Sequence, residues 1–436
     1  MLHLGQARRM QAQLRVTKRL SDRLDAIENE LAALSPATTK ASEYESPEDF
    51  IEALSDDPGE GLDALKGARE RWPDSEALAC TNARALWALG VHTEADALLS
   101  DFVQAREGAD EAAALRAELM LRAGKRAELL EWLSGTRGEL PPRLRFMRAQ
   151  ALEQSGDLDG CLAELMTLHE QDPEAPHVRR YLSRVQRLHG EFDAALAELD
   201  ALVAGAEPGP DDWDRMEVAT VLDRWDVVRA SAARLEMEVE GEQGPIEERW
   251  GLFLLRLDLA EGGSEDVLAM RLGPVHAEVV RIDPPGEVQR FEDRHVFEAK
   301  PLEEPPEDEE ADKTHLHVYR AVHKLSDGGF VAYSLDGVDP GEAWVEALRE
   351  GLAEMGGYFS VRSDESYQLE VDGKHLQGLY GFIAVPGACE PTTLHALLTD
   401  ACEGLEHPLV WLELGNALDD DAERERQRQI VERYGL

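Results

Sequence analysis

The chain has 436 residues, too many for a single hydrophobic core and enough for roughly two to four domains at ~150 residues each. With 89 Asp and Glu against 45 Lys and Arg, its formal net charge is −44, which excludes general affinity for nucleic acid or anionic membranes. Cys80, Cys161, Cys389 and Cys402 form no Cys-x-x-Cys pair, so neither a disulfide framework nor a cysteine zinc site is encoded, and a reducing cytoplasm is the expected compartment.

In chain order, residues 1–35 read as a separate helix. Its amino terminus is too polar for a secretory signal, and the longest apolar stretch of the whole chain, Trp250 to Leu257, is far short of the ~18–20 residues of a membrane span. Leu20, Leu24, Ile27, Leu31 and Leu34 recur at 4, 3, 4 and 3, which suits either an amphipathic helix lying on the next element or a dimerising coiled coil. Ser35 to Ser46 is a polar connection.

A repeat then governs the first half. Gly90, Gly124, Gly156 and Gly190 are spaced 34, 32 and 34 apart, a period typical of stacked helical repeats. Seven residues before them stand Ala83, Ala117, Ala149 and Ser183; five after stand Ala95, Leu129, Cys161 and Ala195. Pro141 and Pro173 fall seventeen residues after their glycines and Pro208 eighteen after Gly190, with Pro73 two periods ahead of Pro141. Glycine permits a left-handed turn between helices, small residues let backbones approach, and proline ends the second helix.

This pattern resembles the tetratricopeptide repeat, most clearly in GDLDGCLAELMTLHEQDP at 156–173. The resemblance covers about residues 46–240, and with it a repeat domain is expected over 46–262. A degenerate pair is expected at each end, Phe50–Leu54 with Gly61–Trp72 and Trp213–Leu222 with Val227–Val239. In the last pair Arg224 replaces the turn glycine, and a helix over Ile246–Ala260 caps the array.

The resemblance also implies a concave groove lined by the first helix of each pair. Its groove-facing positions fall on Arg84 and Trp87, on Glu118 and Arg122, on Arg143, Phe146 and Gln150, and on His177, Arg180, Arg184 and Arg187. Pro176 to Gly190 contains no acid. Guanidinium forks bind carboxylates, and Trp87 and Phe146 offer apolar anchors, so these residues suit an acidic peptide or a carboxylate-bearing partner. The same arginines would equally serve by pairing with Asp and Glu of neighbouring helices or of the acidic linker.

Beyond Gly262-Gly263 the pattern alternates, and residues 263–300 read as a small β unit. PLEEPPEDEEADK at 301–313 reads as a solvated acidic linker. Residues 314–418 read as an α+β domain: strands His315–His323 and Gly329–Leu335, helix Glu342–Glu354, strands Tyr358–Arg362, Tyr367–Val371 and Gly378–Val385, helix Thr392–Glu403 and strand Leu409–Leu414. Helices among strands suggest a ferredoxin-like core with an added hairpin turning at Asp372-Gly373. Residues 419–436 read as a charged, exposed terminal helix.

No phosphate loop, dinucleotide glycine motif, His-Glu-x-x-His or Gly-x-Ser-x-Gly is present. His315, His317 and His323 share one face of a predicted strand and are the best metal candidates, with Tyr319 beside them. Leu316, Val318 and Val322 would fill the opposite, core-facing parity, which leaves the histidines facing solvent. The reading is therefore a non-enzymatic cytoplasmic scaffold without a cofactor. It would bind a protein or peptide and neither nucleic acid nor membrane, and residues 1–35 offer a dimerisation helix. The rival is an enzyme or small-ligand or metal sensor in the carboxy-terminal α+β domain, with the repeats as a targeting module.

Overall fold

The computed structural model describes residues 41–54, 58–136, 138–304, 306, 315–371 and 373–436, so the expected helix over 1–35 lies outside the described residues. The chain divides into two compact units at Val185/Gln186. In the first, a short 3-10 turn, Ala41–Glu43, precedes paired helices. These are α1 (Pro47–Glu52) and α2 (Pro58–Arg71), α3 (Glu76–Ala88) and α4 (His92–Ala105), α5 (Asp110–Arg122) and α6 (Arg126–Ser134), α7 (Pro142–Gln154) and α8 (Leu158–Gln171). Helix α9 (Pro176–His189) crosses the division, and α10 (Phe192–Val203), α11 (Pro210–Val221) and α12 (Trp225–Arg234) continue the series.

The turns follow from the glycines. Gly90, Gly124, Gly156 and Gly190 adopt φ of +80°, +72°, +83° and +83°, where an L side chain is strained. The next N–H closes each helix end by donating five residues back, Val91 to the Leu86 carbonyl and Asp157 to that of Leu152, both at 2.9 Å. In the last pair Asp223, not Arg224, takes this place, with φ of +57° and Arg224 donating to the Ala219 carbonyl at 2.8 Å. The small residues that keep the phase are buried: Ala83, Ala117, Ala149, Ala95, Leu129, Cys161 and Ala195 are all at 0% exposure. The paired helices of the first unit thus form a tetratricopeptide-like helical solenoid, and the helices of residues 192–234 in the second unit follow the same pattern of turns.

The expected capping helix over Ile246–Ala260 does not form. Gly251–Asp258 is instead strand β1, followed by β2 (Ser264–Arg271), β3 (His276–Val279), β4 (Arg294–Phe297) and β5 (Val318–Ser326). The five close into a barrel, antiparallel throughout except where β5 returns parallel to β1, Leu254 opposite Val318. Phe253, Leu255 and Leu257 point inward to Val267, Ala269, Ala277, Val279 and Phe297. Leu252 is exposed, and Arg256 forms a two-pronged pair with Asp266 across the β1–β2 ladder at 2.7 and 2.8 Å.

The strand expected to open the carboxy-terminal domain is therefore a barrel strand. The acidic stretch joins β4 to β5 of one barrel; of it, residue 305 and residues 307–314 lie outside the described residues. Of the residues expected to face the core, Val318 is buried, but along the rest of β5 the parity is the reverse of that expected. Tyr319 and Ala321 pack inward, while Val322 and Leu316 are exposed, because the Tyr319 ring joins Phe253 and Phe297 at 5.3 Å from each.

Strands β6 (Phe330–Val338), β7 (Tyr358–Val361), β8 (Gln368–Val371) and β9 (Lys374–Pro386) make an antiparallel sheet in the order β6-β9-β7, with β8 paired to the start of β9. Helices α13 (Glu342–Glu354) and α14 (Pro391–Ala401) cover one face, seating Val345, Leu348, Leu352, Leu394 and Leu398 on Leu335, Ile383 and Val385. On the other face Phe382 and Ala384 pack against Ile282 and Phe291.

Asp372, half of the expected hairpin turn, lies outside the described residues. The strand expected at Leu409–Leu414 is reduced to one bridge, Asp336 with Val410, and Leu412–Ala417 forms helix α15. The terminal helix α16 (Asp421–Tyr434) is not wholly exposed. Gln427 is fully buried and accepts from the Trp411 N–H at 2.8 Å, and Ile430 and Tyr434 pack on Leu369 and Val371.

Candidate functional site

In the first unit, successive first helices lie side by side, as the Arg143–Glu111 contact between α7 and α5 at 3.9 Å shows. Arg84 on α3 is exposed. Trp87 is half-buried, its ring stacked on His92 with centroids 4.0 Å apart, so its face is already covered. Arg122 on α5 pairs with Glu118 one turn earlier at 2.6 Å. On α7, Arg143 is exposed, Gln150 is half-buried, and Phe146 is wedged against His177 and Tyr181 at 5.6 and 5.3 Å. On α9, His177, Arg180 and Arg184 are exposed.

The remaining arginines of these helices are consumed internally. Arg145 and Arg148 share Glu164 of α8 at 2.9 and 3.3 Å. Arg184 reaches Glu153 of α7 at 2.6 Å, and the same carboxylate oxygen accepts the Tyr181 hydroxyl at 2.7 Å. Arg187 belongs to the second unit and points to Asp214 and Glu217 of α11 at 3.3 and 2.8 Å. Burial lifts the Glu217 carboxyl to about 8 even with Arg187 pulling it down. Pairing with neighbouring helices, one of the two roles open to these arginines, thus engages Arg184 and Arg187, while Arg143, His177 and Arg180 are exposed.

The three candidate metal histidines are not brought together. His315 and His317 precede β5 with rings 5.1 Å apart, whereas His323 packs edge-on against Phe192 of α10 at 5.1 Å. Among the described residues no group of three or more His, Cys, Asp or Glu is arranged to hold a metal ion. The thiols of Cys80, Cys161 and Cys402 are pushed up to about 11 by burial, far from the thiolate a nucleophile needs.

Two clefts of the second unit escaped the sequence reading. One, of about 390 Å³, lies on the barrel, lined by the exposed Leu259, Val288, Val322 and Lys324 and by the buried Asp293 and His295. Lys324 bonds Asp293 at 2.7 Å, and His295, driven down to about 4 by burial, leaves Nε2 unpartnered. The other, of about 380 Å³, lies beside the β6-β9 sheet, lined by Asp336, Arg362, Ser363, Asp364, Tyr367 and Tyr380. These six come from β6, the β7–β8 connection and β9, so no local motif could announce them.

No family model matches the chain, and no curated protein matches it. Among solved structures it is similar to PilW, described as a widely conserved type IV pilus biogenesis factor. That match has 15% identity over 43% of this chain and 88% of that one, with a TM-score of 0.35. PilF of Pseudomonas aeruginosa matches at 13% identity over 41% of this chain and 83% of that one, TM-score 0.34. YrrB, described as a TPR protein with an unusual peptide-binding site, matches at 13% identity over 39% and 90%, TM-score 0.31. No helix among the described residues is long and apolar enough to cross a membrane.

Proposed function

We propose that the protein is a non-enzymatic, cytoplasmic interaction scaffold whose first-helix face binds an acidic peptide or carboxylate-bearing partner. One observation carries the reading: Arg143, His177, Arg180 and Arg184 are all exposed on the adjacent helices α7 and α9 of a chain with net charge −44. Solenoid helices create extended surfaces suited to peptides. Arg143 is only loosely tied to Glu111, at 3.9 Å. Arg184, although bonded to Glu153, keeps a side chain 49% exposed, and a guanidinium has five N–H donors of which one carboxylate oxygen takes one. Arg84 and Arg122 extend the same series, with the half-buried Phe146 as an apolar surface. Arg187 drops out of the recognition set because Asp214 and Glu217 hold it.

The test uses a fluorescein-labelled Asp/Glu-rich peptide and anisotropy titrations of the full chain at rising salt. Arg143→Glu with Arg180→Glu should weaken capture by about tenfold or more and flatten its salt dependence. Absence of binding to the wild type, or equal binding by the variant, rejects the reading.

For the carboxy-terminal half we infer a ferredoxin-like arrangement. It is supported by the run β6-α13-β7-β8-β9-α14, by β9 lying between β6 and β7, and by the Asp336–Val410 bridge on the far edge of β6, where a fourth strand would lie.

A further inference from the structure

The cleft beside β6 and β9 is lined by three charged side chains, Asp336, Arg362 and Asp364, and among the described residues neither Asp336 nor Arg362 makes an ion pair. Asp336 sits on β6 opposite Tyr380 of β9, so both side chains leave the same face of the sheet. Helices α13 and α14 cover the other face. On this face the barrel covers the end near Phe382 and Ala384, the β8 hairpin and α16 cover Val338 at the other end, and the half-buried Asp336 lies between them in the cleft.

Asp336 is half-buried and accepts the Tyr367 hydroxyl at 2.6 Å. Among the described residues it forms no ion pair, and burial raises its carboxyl above the ordinary range. Gly378 makes this geometry attainable: a Cβ there would stand 2.6 Å from two atoms of the Tyr367 ring, so only glycine lets that ring lie against β9 and aim its hydroxyl at Asp336.

Arg362 is the counterpart. Its guanidinium lies over the Phe382 ring at 5.5 Å and donates once, to the Ile282 carbonyl at 2.8 Å. Among the described residues no carboxylate lies within ion-pair distance of it, in a chain where carboxylates outnumber cations 89 to 45. Ser363 accepts the Tyr380 N–H at 3.0 Å on its hydroxyl oxygen, which leaves the hydroxyl proton to donate elsewhere. The other acids nearby are engaged. Asp364 is locked into its own turn by the Ser366 N–H at 2.8 Å and the Ser366 hydroxyl, and Glu413 takes the Ser334 hydroxyl.

We propose that this cleft binds a small zwitterion of the amino-acid type, its ammonium on Asp336 between the Tyr367 and Tyr380 rings and its carboxylate on Arg362 and the Ser363 hydroxyl. A partly desolvated carboxylate gains most from a cation brought to it, aromatic faces add to that attraction, and a guanidinium fork matches a carboxylate in two-point geometry. A cleft of about 380 Å³ is within the usual range for small ligands. Asp336 and Arg362 offer one charge of each sign, and with Asp364 tied into its own turn by Ser366 the cleft discriminates against ligands carrying only one.

The experiment is isothermal titration of the full chain with each of the protein amino acids and with glycine betaine, then with N-acetyl and methyl-ester forms of the tightest amino-acid binder. At least one amino acid should bind with Kd of about 1 mM or tighter, and both single-charge forms should bind about tenfold more weakly. Asp336→Asn keeps an acceptor for Tyr367, and Arg362→Gln changes an exposed side chain, so both should melt as the wild type does while losing affinity by a similar factor. No binding by any member, binding that needs only one of the two charges, or full affinity in both variants overturns the proposal.

Discussion

Arg184 and Tyr181, one helical turn apart on α9, converge on a single oxygen of Glu153 on α7, at 2.6 and 2.7 Å. The Arg184 guanidinium also lies 4.9 Å from the Tyr181 ring centroid, so α7 and α9 are joined by a three-group network and not by a lone surface pair. Such a network couples its members where an exposed pair contributes little. In a double-mutant cycle, Arg184→Ala and Glu153→Gln should show a coupling of about 1 kcal/mol by urea denaturation. Additive effects would mean that Arg184 contributes nothing to joining the repeats.

His276 should make stability fall with acid. Its Nε2–H donates to the Ile246 carbonyl at 2.7 Å, its ring meets Trp225 edge-on at 5.1 Å, and Nδ1 has no partner. Burial lowers it from 6.5 to about 4, with Arg294 and Arg271 opposing its protonation and Glu247 and the Ile246 carbonyl favouring it. The unfolded chain takes up this proton near 6.5 and the folded chain only near 4. The contribution is therefore complete above about pH 6.5 and fades as pH falls toward 4, the loss reaching about 2 kcal/mol by pH 5. The 89 acids of the chain respond to acid too, so the comparison is wild type against His276→Gln: the variant's urea midpoint should lose less between pH 7 and pH 5, and an equal loss would contradict the assignment.

The helical half was legible because its information is local. A left-handed turn needs Gly90, Gly124, Gly156 and Gly190, and close helix approach needs Ala83, Ala117 and Ala149; each leaves a mark at fixed spacing. At Asp223 the mark is missing, since a non-glycine residue holds the same conformation. The barrel was legible only in part. Leu252, Phe253, Leu254 and Leu255 are all apolar, so neither helical nor alternating period stands out, and although β1 pairs locally with β2, the pairing that closes the barrel is with β5, more than sixty residues away. Tyr319 against Phe253 and Phe297 decided the parity of β5, a tertiary preference that no strand pattern contains. The charged cleft needed Asp336, Arg362 and Tyr380 to be placed together by sheet order, and the arginine series needed the positions of Glu153, Glu164 and Glu217 before its paired members could be told from its exposed ones.

Two glycines should respond oppositely to alanine. Gly156 stands at φ of +83° with open space around it, so Gly156→Ala meets backbone strain alone and should destabilise by about 1 kcal/mol. Gly67 lies exposed within α2, also in open space, and its backbone is helical. There alanine restricts the unfolded chain without straining the fold, and Gly67→Ala should stabilise by about 0.5–1 kcal/mol. Thermal melts of the two variants decide it, and a shift of the same sign in both would show that turn conformation is not what the repeat glycines supply.

Glu217 gives the opposite pH dependence from His276. It is 5% exposed on α11, and burial, aided by the like charge of Asp214, holds its carboxyl at about 8 although Arg187 is 2.8 Å away. A carboxyl that binds its proton more tightly folded than unfolded contributes stability that is complete below about pH 4.5 and fades as pH rises toward 8. Near neutrality the side chain is then an uncharged acid donating or accepting beside Arg187, and Gln is its close mimic. Glu217→Gln should therefore be nearly neutral near pH 4.5 and should raise the melting temperature relative to wild type progressively as pH rises through 6 and 7 toward 8. If Glu217 were instead an ionised partner throughout, removing its charge would leave the Arg187 cation without its buried anion and cost about 3–5 kcal/mol at every pH. Melting curves of wild type and Glu217→Gln at pH 6, 7 and 8.5 separate the two outcomes, and a large loss at pH 6 would refute the neutral carboxyl.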